Sequence, residues 1–161
     1  MRSPDHIPSE ATSDGKWRFY GETSPEPTAW LIKGLLPETG AALLSGQWGT
    51  YKTTVALDIS VSIMAGLKFA NRFRVKRTGG VVYLAPEGSS GLESRVSAIA
   101  HARGLTKPLP FAWRADCPPL ISFDAVDKLT KMVASAAAGL RRRFNVPVVL
   151  IFVDTIVAAA Q

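Results

Sequence analysis

The stretch Gly46-Gln47-Trp48-Gly49-Thr50-Tyr51-Lys52-Thr53-Thr54 decides how the rest of the chain is interpreted. It follows the phosphate-loop pattern G-x-x-x-x-G-K-[ST], except that Tyr51 stands where the pattern has its second glycine. In loops of this kind backbone N–H groups surround the phosphates, the lysine reaches the terminal ones and the hydroxyl holds Mg²⁺. All residues of the stretch are therefore candidates for binding a nucleotide.

The flanking sequence has the order strand, loop and helix that a phosphate loop requires. Residues 41–44 form a short apolar run that predicts a buried strand. In residues 52–65 apolar side chains recur among small ones in a pattern that predicts a helix. The start of that helix would direct unpaired N–H groups and the positive end of its dipole toward an anion.

The backbone at Tyr51 has two possible conformations with different consequences. A positive φ would strain this residue by roughly 1 to 2 kcal/mol, because only glycine adopts it freely. A negative φ would cost nothing and would leave the ring outside the loop. We expect nucleotide binding in either case.

Composition limits the class of protein and its partners. A chain of 161 residues with 47% hydrophobic and 20% charged residues is ordinary for one globular domain. The net charge of +6 favours polyanionic partners, either nucleotide or nucleic acid, although a solvated basic surface explains it equally well. The single cysteine, Cys117, excludes an intrachain disulfide and fits a reducing compartment.

Neither end of the sequence predicts a membrane segment. The first 15 residues are too polar for a secretory signal, so we expect a cytoplasmic protein. Residues 146–160 are apolar but contain Pro147 and Asp154, and they are shorter than the roughly 20 residues of a spanning helix. A buried strand accounts for them better, and no membrane partner is expected.

The chain divides into a flexible tail at residues 1–28, rich in Pro and polar residues, and a domain at residues 29–161. Beyond the phosphate loop the apolar patterns predict strands at residues 81–85, 111–113 and 146–153, and helices at residues 94–103 and 123–144. Strands that alternate with helices indicate an α/β fold with a parallel sheet and helices on its faces.

Two carboxylates follow predicted strands, where ligands of open parallel sheets bind. Asp154 ends the apolar run Leu150-Ile-Phe-Val153 and could reach Mg²⁺, or it could cap a turn at the sheet edge. Glu87 follows the strand at residues 81–85 and could deprotonate the water that attacks the γ-phosphate, or it could be a surface turn residue. One fold would bring both of them and the phosphate loop to one edge of the sheet.

In this order of motifs the chain resembles the RecA-like P-loop ATPases. Within them it is similar to the RepA-like branch, AAA family ATPases of bacterial, plasmid and phage origin. The resemblance covers roughly residues 28–157. It is carried by Trp30-Leu-Ile-Lys-Gly-Leu-Leu-Pro37, the loop and helix from Leu44 to Asp58, Val82-Tyr-Leu-Ala-Pro-Glu-Gly88 and Leu150-Ile-Phe-Val-Asp-Thr155.

The resemblance implies ATP and Mg²⁺ as ligands, with Lys52 on the β- and γ-phosphates, Thr53 and Asp154 on the metal, and Glu87 as general base. It further implies a link to DNA replication or repair, single-stranded DNA as a candidate partner, and homo-oligomers with nucleotide between subunits. Family members continue with further strands, one of them between the phosphate-loop strand and the Asp154 strand. We therefore expect the N-terminal part of an ATPase domain.

Two other interpretations stay open at this point. The chain could be a module that binds nucleotide or nucleic acid without hydrolysis, which Tyr51 and the expected missing strands favour. It could also be a non-functional gene fragment. Hydrolysis is not expected of these 161 residues alone.

Overall fold

The structure is a computed structural model, and it describes residues 28–86 and 88–154. The predicted tail, Glu87 and Thr155 therefore lie outside the described residues, except for Thr28 at the end of the tail. The described elements follow one another in the order β1 (Trp30–Ile32), β2 (Leu36–Pro37), α1 (Lys52–Ala65), β3 (Gly80–Leu84), α2 (Leu92–Ala102), β4 (Phe111–Arg114), α3 (Ala125–Phe144) and β5 (Val148–Val153).

The main sheet has three parallel strands in the order β4-β3-β5. Parallel strands need long crossover connections, which α2 supplies between β3 and β4 and α3 supplies between β4 and β5. Val82 in the middle of β3 is in register with Ala112 on one side and Ile151 on the other. The predicted α/β fold with a parallel sheet is confirmed.

Helices cover both faces of β3, and every residue of that strand is buried. Val81 and Tyr83 face the cluster that α1, α2 and β1 build, whereas Val82 and Leu84 face Leu140 of α3. This alternation follows from the period of two in a strand. Because both faces are covered, β3 can be apolar throughout, as parallel strands usually are.

The predicted helices and strands are confirmed with end shifts of one or two residues, apart from the strand before the phosphate loop. The helix predicted at residues 52–65 has the same bounds in α1. Ahead of the loop, β1 and β2 form a small antiparallel pair. Ile32 of β1 also forms a β-bridge with Val75, so the segment between α1 and β3 contacts this pair.

The prediction of a strand at residues 41–44 was wrong. These residues have no regular secondary structure and are exposed, with Leu43 at 74% and Leu44 at 44% of full exposure. An apolar run becomes a strand only when a neighbour pairs with its N–H and C=O groups. Among the described residues no strand lies beside this run.

The prediction that residues 146–153 form a buried strand was also wrong in part. Residues 148–153 of this range form β5, but most residues of β5 are half-buried and Ile151 is 42% exposed. Within the described part of the chain only β3 pairs with β5, so its other edge is open.

Candidate functional site

The start of α1 presents unpaired backbone donors. The first hydrogen bond of the helix runs from the N–H of Val55 to the carbonyl of Tyr51, at 2.9 Å. The N–H groups of residues 52–54 therefore have no partner inside the helix. Gly49 has a φ of 81°, a left-handed conformation that glycine adopts without strain and that turns the loop into the helix. Such a helix start favours an anion.

Tyr51 takes the strained one of its two possible conformations. Its φ is 59°, in the left-handed region, and it is the residue that immediately precedes α1. A left-handed conformation costs a residue with a β-carbon roughly 1 to 2 kcal/mol. The side chain is 77% exposed, so no burial of the ring compensates for this cost.

Lys52 is directed back into its own loop. Its Nζ donates hydrogen bonds to the carbonyl oxygens of Gly46, at 2.9 Å, and Gln47, at 2.7 Å. The hydroxyl of Thr50 donates to the same Gln47 oxygen at 2.7 Å. A β-carbon at Gly46 would lie 2.8 Å from the hydroxyl oxygen of Thr50, so a side chain there would displace it. The loop thus curves around the ammonium group.

Thr53 and Asp154, the two predicted metal ligands, are in contact. The hydroxyl of Thr53 donates to Oδ2 of Asp154 at 2.7 Å. β5 positions Asp154, which directly follows Val153, the last paired residue of the strand. The N–H of Asp154 donates a hydrogen bond of 2.8 Å to the carbonyl of Leu84 in β3. Adjacent parallel strands end at the same edge of the sheet, and α1 begins at that edge.

A residue that sequence reasoning missed completes this contact. The hydroxyl of Tyr83, which is fully buried, donates a second hydrogen bond to Oδ2 of Asp154 at 2.7 Å. Burial and the neighbouring Asp154 carboxylate raise the pKa of Tyr83 well above its usual value. Tyr83 therefore remains a neutral donor and holds the carboxylate in one orientation. The sequence shows Tyr83 only as one residue of a predicted strand, and no motif indicates this role.

A cavity of about 150 Å³ lies beside the Thr53–Asp154 contact. Its lining includes Arg95, an exposed side chain of α2 that the sequence analysis did not single out. The charge of Arg95 also acts on Tyr83, where it opposes the rise in pKa. The remaining lining residues are Tyr83, Ala85, Gly88, Ser90 and Leu92. Among the described residues that line it, the cavity thus contains one cationic and one anionic side chain.

The oxygens at this cavity are of the kind that Mg²⁺ prefers. A carboxylate and a hydroxyl are hard oxygen ligands, and Mg²⁺ commonly binds one or two protein groups together with phosphate oxygens and water. Among residues 28–86 and 88–154 no group of three or more His, Cys, Asp or Glu side chains could hold a metal by itself. The donor set therefore fits Mg²⁺ bound together with a nucleotide.

Other predicted site residues lie apart from this contact. Trp48 is 99% exposed and Thr54 is exposed at the surface of α1. Gln47 takes part through its carbonyl oxygen. The predicted general base, Glu87, lies outside the described residues, while its neighbour Gly88 lines the cavity.

The model of the AAA domain family matches residues 8–161. The chain belongs to the AAA domain family. Membership supports a P-loop ATPase-like function in nucleotide binding, in agreement with the α/β fold. The match begins inside the predicted tail, whose boundary at residue 28 stays a prediction.

No curated protein and no solved structure matches the chain. Within the described ranges, none of the helices has the combined length and apolar character needed to cross a bilayer.

Proposed function

We propose that this AAA domain binds ATP together with Mg²⁺ at the edge of the sheet where α1, β3 and β5 meet. One observation carries the proposal: the Thr53 hydroxyl lies 2.7 Å from the Asp154 carboxylate, next to the unpaired N–H groups that begin α1. Phosphates are recognised by such N–H groups, and the two side-chain oxygens suit the metal that accompanies them.

Each residue of the site has a defined task in this proposal. The N–H groups of residues 52–54 receive phosphate oxygens, and Lys52 exchanges its two loop carbonyls for the β- and γ-phosphates. Thr53 and Asp154 hold the metal, and Tyr83 keeps Asp154 in place. When bound, Mg²⁺ neutralises charge on the β- and γ-phosphate oxygens. Glu87 is proposed as the general base that takes a proton from the attacking water.

The finer assignment follows the resemblance to the RepA-like branch. We propose a cytoplasmic ATPase linked to DNA replication or repair, acting on single-stranded DNA as a homo-oligomer. The net charge of +6 is compatible with a nucleic acid partner.

A second candidate is a module that binds nucleotide without hydrolysing it. Two observations favour it. Tyr51 is strained at the position where the phosphate-loop pattern has glycine. Two of the three N–H donors of the Lys52 ammonium group are already bonded to loop carbonyls, which a nucleotide would have to replace.

Both candidate functions require nucleotide binding, which calorimetry of Mg-ATP binding tests. Lys52→Ala should abolish binding, whereas the matched control Lys68→Ala should leave it unchanged. Lys68 lies beyond the far end of α1, which is about 20 Å long at 1.5 Å per residue. Equal binding by the Lys52→Ala variant would contradict the proposal. Phosphate release by the same samples, with and without single-stranded DNA, then separates the ATPase from the non-hydrolysing module.

A further inference from the structure

The outer edge of β4 borders a groove. Among the described residues only β3 pairs with β4, so the backbone N–H and C=O groups on its other side have no partner strand. Beside this edge, between β4 and the C-terminal half of α3, lies a cavity of about 310 Å³. We call it the edge groove, and apolar side chains such as Phe111, Leu140 and Phe144 form most of its lining. An open strand edge beside an apolar surface is suited to the addition of another strand.

The edge groove is incompletely covered. Trp113 is 39% exposed, although its ring stacks on Phe111 with 5.8 Å between the ring centroids. A β-carbon built on Gly139 would have no neighbouring atom within 4 Å. Arg142 and Arg143 also line the groove, and neither forms an ion pair with a described residue. An aromatic segment with negative charge would therefore complement this surface.

The N-terminal segment, residues 1–27, has this composition. It carries five acidic and three basic side chains, a formal net charge of −2, in a chain whose net charge is +6. It also contains the run Trp17-Arg-Phe-Tyr20, in which Trp17 and Phe19 would share one face of a strand. The AAA domain family model matches from residue 8 onward, so the aromatic run lies inside the domain that the family shares.

The N-terminal segment is long enough to reach the edge groove of its own molecule. The N–H of Lys76 bonds to the carbonyl of Leu31 at 2.8 Å, so β1 lies close to Lys76. The path from Lys76 to Gly80, where β3 begins, is at most roughly 14 Å, and a strand outside β4 would lie roughly 10 Å from β3. The stretch from Tyr20 to Thr28 can span roughly 26 Å, which covers the two distances together.

We propose that residues 17–20 add to the open edge of β4 and place Trp17 and Phe19 in the edge groove of the same molecule. Backbone pairing then satisfies the outer N–H and C=O groups of β4, and the two rings cover Trp113 and fill the space beside Gly139. The edge groove shares no lining residue with the cavity beside Asp154. The inference therefore goes beyond the proposed function and stands if nucleotide binding is disproved.

Hydrogen exchange of the full chain, measured by mass spectrometry, tests this docking. The amides of residues 17–20 should exchange at least about tenfold more slowly than those of a synthetic peptide of the same sequence, because pairing protects them. Gly139→Leu fills the groove and should return them to the rate of the peptide, whereas leucine keeps α3 helical. The matched control Gly139→Ala should retain the protection. Exchange at the peptide's rate in the wild-type chain, or protection that survives Gly139→Leu, would overturn the proposal.

Disulfide trapping identifies what occupies the groove. In a Cys117→Ser background, Gly139→Cys combined with either Trp17→Cys or Phe19→Cys should form a disulfide within one molecule, because docking brings the two β-carbons close together. Ser9→Cys combined with Gly139→Cys is the control and should react at least about tenfold more slowly. Disulfides between two molecules would show that a second copy fills the groove, and a lack of disulfide in both pairs would show that the segment binds elsewhere. Either outcome contradicts the proposal.

Discussion

The hydroxyl of Thr53, in the first turn of α1, donates a hydrogen bond of 2.7 Å to Oδ2 of Asp154, a residue 101 positions further along the chain. Tyr83 donates to the same oxygen at 2.7 Å. Three elements therefore converge on one carboxylate oxygen. The proposed function depends on this convergence, and it can be tested residue by residue.

Asp154→Asn should remove the dependence of ATP binding on Mg²⁺. The amide keeps the shape of the side chain but lacks the negative charge that the metal requires. We expect binding in the presence of Mg²⁺ to fall to the level measured with a chelator. Titration calorimetry with and without Mg²⁺ measures this, and Asp116→Asn is the control, because Asp116 is exposed in an ion pair with Arg114 and does not line the cavity. A variant that still responds to Mg²⁺ would remove Asp154 from the metal site.

Tyr51→Gly should stabilise the folded chain by about 1 kcal/mol. Glycine relieves roughly 1 to 2 kcal/mol of left-handed strain in the folded state. It also raises the conformational entropy of the unfolded chain, which offsets part of that stabilisation. The free energy of unfolding from denaturant titration measures the change. Trp48→Gly is the matched control: Trp48 is exposed and does not have a positive φ, so glycine there should not stabilise. A loss of stability in Tyr51→Gly would show that the ring contributes more than the strain costs.

Tyr83→Phe should change how stability depends on alkaline pH. Burial raises the pKa of Tyr83 above its usual value of 10.0, so above that pH the unfolded chain loses a proton that the folded chain keeps. Fewer protons on the unfolded chain mean that stability falls as pH rises, by at most about 1.4 kcal/mol per pH unit for one group. The wild-type free energy of unfolding should therefore fall more steeply above about pH 10 than that of Tyr83→Phe. Parallel slopes would contradict this account.

Arg95→Ala should weaken Mg-ATP binding by about tenfold, the effect of losing one charge-assisted hydrogen bond to a phosphate. Arg95 is the one cationic side chain among the described residues that line the cavity beside Asp154. Binding by calorimetry and thermal unfolding should be measured on the same samples.

Arg103→Ala is the contrasting variant for Arg95→Ala. Arg103 joins α2 to α1 through Asp58 and Ser62, and its side chain is largely buried. Its loss should lower stability by about 2 kcal/mol, because it leaves the Asp58 carboxylate without its partner. If Arg95→Ala lowered stability and left affinity unchanged, Arg95 would be a structural residue.

Local patterns predicted much of the fold. Residues 52–65 contain no glycine or proline and start at a phosphate-loop lysine, and α1 has those bounds. The apolar run before Asp154 predicted a strand, and β5 covers Val148–Val153. These features depend on neighbouring residues, which the sequence displays directly.

Features that depend on distant partners were not predictable in the same way. Residues 41–44 have the composition of a strand, but a strand also needs a neighbour with which to pair. Tyr83 and Arg95 carry no motif, because their proximity to Asp154 arises only when the ends of β3, β5 and α2 meet. The φ of Tyr51 was one of two alternatives until the turn into α1 was known.

By itself, the sequence determined the phosphate loop, the alternation of strands and helices, and the carboxylate after the last strand. Each of these is a short-range pattern in which spacing and residue type are sufficient. Only the tertiary structure decided that Thr53, Tyr83 and Asp154 share one hydrogen-bonded centre, and that Arg95 lines the cavity beside it. Those relationships depend on how the strands are ordered and on which side chains are left uncovered, and both are set by packing between distant parts of the chain.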